Sequence, residues 1–279
     1  MIEFVLTCFG PFAGITSNPT QTIIYGTPCP PHPPPSCGPI TELLKSRPLS
    51  HPHVQIHTYL LPVSISGVTS AMSDIFNRHC PYPCLGTTRT VVFLHLGVDG
   101  SQAPPSQGAF KLERRGYNNA TFRVPDNDGA QPTNQPIDQD QGLDCYLGSL
   151  CSYSNDSESS EEGSTTPRTS ASPLVDSLVS NLKTKYGDLV EASDDAGRFV
   201  CNYTLYTTGR RIREYKSKVE EGGGGGGGDG EGKGVEAMTV FLHVPKFELL
   251  GGEIQVEFVR DVMEGICGLM EGGEEGALN

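Results

Sequence analysis

The sequence predicts an α/β fold, an open twisted and mostly parallel sheet with helices on both faces. Three observations carry that expectation. Short, nearly continuous apolar runs recur at residues 2–8, 90–96 and 238–244, as strands buried on both faces require. Between them lie stretches with apolar residues at helical spacing. Strands that alternate with helices imply βαβ crossovers, and so parallel pairing.

Each element has its own signal. Residues 2–8 (IEFVLTC) form the first strand and end in the Gly/Pro turn FGPFAG, followed by Asn18-Pro19. Residues 28–39 are proline-dense, so the sequence predicts an extended loop there. A second strand is expected over 53–63. Residues 64–79 place Ile65, Val68, Met72 and Ile75 on one helical face. TVVFLHL at 90–96 is the third strand, residues 110–125 are mixed in pattern, and DNDGAQP at 126–132 is a turn cluster. A helix with proline at its start and glycine at its end is expected over 173–187, with Val175, Leu178, Val179 and Leu182 on one face. A short strand at 189–192 leads through SDDAGRF into a helix over 199–219. MTVFLHV at 238–244 is a buried strand, and 254–270 is an amphipathic closing helix.

The expected organisation is one domain over residues 1–279. The Ser/acid-rich segment 152–172 and the Gly-rich segment 221–234 read as disordered insertions, and 271–279 as a tail. Without such stretches roughly 200 residues remain, enough for a sizeable core. The chain has 279 residues and a formal charge of −13. Most of the excess falls in Asp156, Glu158, Glu161, Glu162, Glu220, Glu221, Asp229, Glu231, Glu271, Glu274 and Glu275, inside the segments read as loops or tail. The rest is close to neutral, so no nucleic-acid partner is expected.

Nine cysteines form no Cys-x-x-Cys pair, and Cys80 and Cys84 lack a second pair at zinc-site spacing. No bound metal and no cofactor are expected; outside the Gly-rich segment 221–234 there is no GxGxxG, and GxxxxGK[ST] is absent. No segment has membrane-spanning length and no leader precedes the first strand, so reduced thiols and a cytoplasmic location are expected.

In open α/β sheets functional residues gather where strands end. That rule singles out FGPF, LGVDG, SDDAGRFVC and HVP. Cys201 lies in the first turns of a helix, where unpaired N–H groups favour a thiolate and can hold an oxyanion. The residues alone leave the other reading open, a small thiol buried under the sheet. His243 ends an apolar strand, stopped by Pro245, and can be a base or a structural histidine. Glu113 can orient that histidine or pair with Arg114 or Arg115.

FVLTCFGPFAGITSNPT, LERRGYNNATFRVPDNDGAQP, SDDAGRFVCNYTLY and FLHVP, in this order and spacing, resemble the pyroglutamyl-peptidase I family. The resemblance covers most of the ordered chain. It implies a cysteine peptidase with a Glu113–Cys201–His243 triad that removes an N-terminal 5-oxoproline from peptides. It also implies that Phe9 and Phe12 sandwich the lactam, with Val124, Phe199 and Val200 completing the wall and Asn18 as a polar contact. Arg123 resembles a family arginine near the catalytic centre, as substrate contact or loop brace. Bacterial members carry a Gln-Ala-Gly-Gly-Arg-like loop where this chain has Val98-Asp99-Gly100-Ser101-Gln102 and a longer connection; eukaryotic members also lack that glutamine. The alternatives are a non-catalytic pyroglutamyl-binding module and a thiol amidase acting on another small lactam or amide. Oligomeric state is not legible.

Overall fold

In the computed structural model, residues 1–12, 14–26, 38–82, 88–102, 108–150, 173–222 and 235–275 are described. The expected proline-dense stretch up to residue 37, the insertion 152–172, residues 223–234 and the last four residues lie outside them.

The strands are β1 (Ile2–Phe9), β2 (Val54–Leu61), β3 (Arg89–Val98), β4 (Phe110–Glu113), β5 (Arg115–Tyr117), β6 (Tyr146–Gly148), β7 (Val190–Ser193) and β8 (Val235–Val244). The helices are α1 (Pro19–Tyr25), α2 (Pro39–Ser46), α3 (Ile65–His79), α4 (Pro173–Tyr186), α5 (Val200–Gly222) and α6 (Gly252–Glu275). Six strands form one sheet in the order β2-β1-β3-β8-β4-β7. The β2, β1, β3 and β8 strands pair in parallel. β4 is antiparallel to β8 and parallel to β7. β5 and β6 make a separate antiparallel ribbon.

The apolar runs are strands because both faces of each are covered. Phe4, Leu6 and Cys8 of β1 join Val92, Leu94, Val240 and Leu242 in a core sealed by α1, α2, α4 and α6. There Phe258 of α6 stacks on Phe110, centroids 3.7 Å apart. Val5 and Phe9 face the other way, with Val91, Phe93 and Phe241, under α3 and α5. Burying apolar surface on both sides at roughly 25 cal/mol per Å² is what holds such strands in the middle of a sheet.

The structure differs from the sequence expectation in four places. Neither α1 nor α2 was expected. Asn18 caps α1 by accepting from the Thr20 amide, with Pro19 in the first turn, where its missing N–H costs nothing. Pro39, expected in an extended loop, begins α2 for the same reason. α5 runs through Gly222 and α6 through Glu275, so parts of the expected Gly-rich insertion and acidic tail are helical. The fourth difference is the reversed direction of β4 and β7, which changes how Cys201 reaches the site.

Candidate active site

β8 delivers His243 at its carboxyl end, in register with Gly97 of β3. On its other side β8 pairs with β4, Glu113 opposite Phe241 and Lys111 opposite His243. Residues two apart on a strand share a face, so Phe241, His243 and Glu113 project to the side covered by α5. Diagonal neighbours on paired strands lie within reach of a long side chain. Glu113 uses that reach: its Oε1 lies 2.8 Å from His243 Nδ1. Glu113 is fully buried, and its Oε2 has no hydrogen-bond partner among the described residues. A carboxylate in that position depends on the imidazole for its compensation.

Cys201 comes from an unexpected direction. The sequence places Cys201 and His243 at the carboxyl edge of one sheet. β7 instead runs against β8, so its carboxyl end is at the other edge, and the loop 194–199 returns the chain across the face. Arg114 anchors that loop through Asp194 and Asp176 of α4, while Arg115 holds Asp194 and lies over the Tyr146 ring. α5 then begins at Val200, with Cys201 in its first turn. Asn202 accepts from the Tyr117 amide and donates to the Tyr117 and Asn119 carbonyls, which fixes the helix start against β5. Gly116 permits that approach, because a Cβ there would sit 2.8 Å from the Tyr206 backbone nitrogen.

The sulfur rests over β3. A Cβ on Gly97 would stand 3.1 Å from Cys201 Sγ and 2.7 Å from the Phe241 ring. Gly97 therefore makes room for both. The Cys201 sulfur is near enough to act on the His243 imidazole electrostatically. Burial alone would push the imidazole's pKa down. The sulfur first, and Glu113 after it, outweigh that and lift it to about 10. The pair is built to hold a proton on His243 beside the sulfur. Cys201 itself is half-buried and reachable.

Around the thiol the expected wall residues separate into two sets. Phe12 and Phe199 are half-buried and stack with centroids 5.8 Å apart, and Phe122 meets Phe199 at 4.5 Å. Phe9 and Val200 are buried in the cluster against which Phe12, Phe199 and Cys201 pack. Val124 and Arg123 are exposed; the Arg123 guanidinium makes no ion pair among the described residues. Asn18 is 1 % exposed, and its amide bonds Gly10 O, Thr20 N and Thr20 Oγ1, which shapes the turn before Phe12. The loop after β3 is pinned by Asp99, which accepts from Ser101, Gln102 and Lys111. Burial disfavours the charge of Asp99, but those donors hold its carboxyl well below the usual carboxylate range.

Sequence reasoning missed Phe122, Gly97 and Asn202. Phe122 sits inside a quoted motif but has no charge or periodicity to mark it. The roles of Gly97 and Asn202 depend on contacts between distant segments.

No protein-family model matches the chain. The pyrrolidone-carboxylate peptidase of Thermococcus litoralis is 22% identical over 259 residues, covering 90% of this chain and 83% of that protein. The crystal structure of the pyrrolidone carboxyl peptidase of Fervidobacterium islandicum is similar with a TM-score of 0.59 at 21% identity, over 96% of this chain and 99% of that one. That of pyroglutamyl peptidase I of Bacillus amyloliquefaciens gives 0.58 at 17% identity, over 95% and 97%. The fold is thus shared along nearly the whole chain. No helix among the described residues is long and apolar enough to cross a membrane.

Proposed function

We propose that this chain is a cysteine peptidase that hydrolyses the bond after an N-terminal pyroglutamyl residue of peptides. The observation that carries the proposal is the Glu113–His243 hydrogen bond, with the Cys201 sulfur close by over Gly97 and the half-buried ring pair Phe12–Phe199 beside it. Similarity to pyrrolidone carboxyl peptidases over nearly the full length supports the same reading.

The chemistry follows from the geometry. His243 takes the Cys201 proton, and the thiolate attacks the carbonyl carbon that joins pyroglutamate to the next residue. N–H groups in the first turn of α5 lack intrahelical acceptors, so they can stabilise the oxyanion. The C–N bond then breaks, and the imidazolium protonates the departing amine. Water, deprotonated by His243, resolves the thioester and frees pyroglutamate and the thiol. Glu113 fixes the ring orientation and stabilises the imidazolium.

The substrate preference has a physical basis. Pyroglutamate is a neutral lactam, suited to a cleft of aromatic rings without a carboxylate. An N-terminal glutamine would bring an ammonium into the same cleft with nothing to pair it. The absence of a metal requirement is part of the proposal, as is a reducing, cytoplasmic setting for the free thiol. The deciding experiment incubates a pyroglutamyl peptide and its free-glutamine counterpart with the chain and follows products by mass spectrometry. Selective cleavage of the first supports the proposal. Binding without cleavage would make the chain a binding module, and equal cleavage would make it a broader thiol amidase.

A further inference from the structure

At the amino end of the sheet, away from His243, a second cluster lies on the same face. Glu3 of β1 is 4 % exposed. It is flanked by His57 of β2, whose partner on β1 is Val5, and by Arg89 at the start of β3. His79, the last residue of α3, comes down on it from the helix layer. Two imidazole nitrogens converge on one oxygen: His79 Nδ1 is 2.6 Å and His57 Nε2 3.2 Å from Glu3 Oε1. The three potential ligand atoms lie within 4.8 Å of one another. His57 Nε2 is buried and has no hydrogen bond among the described residues, an orphaned nitrogen aimed at a carboxylate.

We propose that Glu3, His57 and His79 form a Zn²⁺ site unrelated to the peptidase centre. Two imidazoles and one carboxylate are a donor set that suits Zn²⁺, with water in the fourth position. Bonds of about 2.0–2.1 Å at tetrahedral angles separate neighbouring ligand atoms by about 3.3 Å. The His57–Glu3 distance of 3.2 Å already matches. The His79–Glu3 contact of 2.6 Å must open, a change within reach of side-chain torsions.

The surroundings support the assignment. Tyr59 Oη lies 2.8 Å from His79 Nε2. With Nδ1 on the metal, Nε2 carries the proton and donates to the Tyr59 oxygen, the orienting bond that metal-bound histidines make. The side chain of His57 is 39 % exposed, so the cluster lies close to the surface although Nε2 itself is buried. Arg89 reaches Glu3 through Oε2, at 3.3 Å, and leaves Oε1 for the ion. Its charge and that of Arg78 weaken cation binding without blocking it. Residues 3, 57 and 79 are too far apart in sequence for any spacing rule to find.

The test uses the full chain carrying Cys201→Ala, so that no thiol–imidazole pair competes, after treatment with a chelator. Zn²⁺ is titrated against a chromophoric chelator, and Co²⁺ is used as a spectroscopic probe. One equivalent should bind, with a tetrahedral Co²⁺ spectrum free of thiolate charge transfer. At about a hundredfold excess over Kd, Zn²⁺ should raise Tm by about 5 °C or more. Adding His57→Ala, a change at a half-exposed side chain, should weaken binding at least about tenfold and remove the Tm rise, with Tm in chelator unchanged. Equal affinity with and without His57, a Co²⁺–thiolate band, or no binding at millimolar metal would overturn the proposal.

Discussion

Two histidines one strand apart show how this sheet sorts its ionisable groups. His95 on β3 pairs in register with Phe241, and His243 follows two residues later on β8. Both are buried on the face under α5. His95 has Thr7 Oγ1 2.7 Å from Nδ1 and no partner for Nε2 among the described residues. Burial pushes its pKa down to about 3 and leaves it neutral. His243 suffers the same burial, yet the Cys201 sulfur and Glu113 lift it to about 10. Desolvation alone removes a histidine from acid–base chemistry, and charged partners restore it.

The contrast breaks most visibly in activity. His243→Ala should lower kcat/KM for a pyroglutamyl amide by about a thousandfold or more, because nucleophile and base act as a unit. His95→Gln keeps a hydrogen-bonding group for Thr7 and should stay within about threefold of wild type. Steady-state kinetics on both variants decide the matter, and the reverse ranking would move the base to β3.

Gly97→Ala tests the space between the two histidines. Its Cβ would press on the Phe241 ring and the Cys201 sulfur. A displacement of about 1 Å should cost about a hundredfold in kcat, with KM changed less. Unchanged kcat would mean that the sulfur does not rest over β3. Glu113→Gln removes one of the charges that raises His243 and should lower kcat about tenfold or more. In the pH profile of Cys201 alkylation, the inflection assigned to His243, near 10 in the wild type, should move to lower pH.

Stability sharpens the contrast because the two signs oppose. His243 has a folded pKa raised above its unfolded value near 6.5, so its contribution is complete below 6.5 and is lost as pH rises toward about 10. His95 has a lowered one, so its contribution is present above 6.5 and is lost as pH falls toward about 3. Thermal unfolding against pH should flatten on the alkaline side in His243→Gln and on the acid side in His95→Gln. The smallest effect concerns residues 152–172. We propose that this segment is an insertion without chemistry, and a short Gly/Ser connector in its place should leave kcat within about twofold, since loop-closure cost grows only logarithmically.

What the sequence made legible follows from where the information sits. The strands at 2–8, 90–96 and 238–244 and the helices at 64–79 and 173–187 are visible because burial writes a local period into them. Cys201, His243 and Glu113 stand out by residue type beside those elements and by the family resemblance. The reversal of β4 was not legible: four residues, FKLE, take their direction from pairing with β8. Asn18 carries a second signal, Asn-Pro before an apolar run, which marks a helix cap, and it fills that capping role. Gly97, Phe122 and Asn202 act through contacts that only the assembled sheet creates.

The central claim is that Cys201, activated by His243, attacks pyroglutamyl substrates. Its most direct test follows amine release from a fluorogenic pyroglutamyl amide while iodoacetamide is added in sub-stoichiometric steps and labelled sites are mapped by mass spectrometry. Turnover should fall in proportion to the fraction of Cys201 alkylated, whatever happens at the other eight cysteines. Turnover that persists with Cys201 fully alkylated would contradict it.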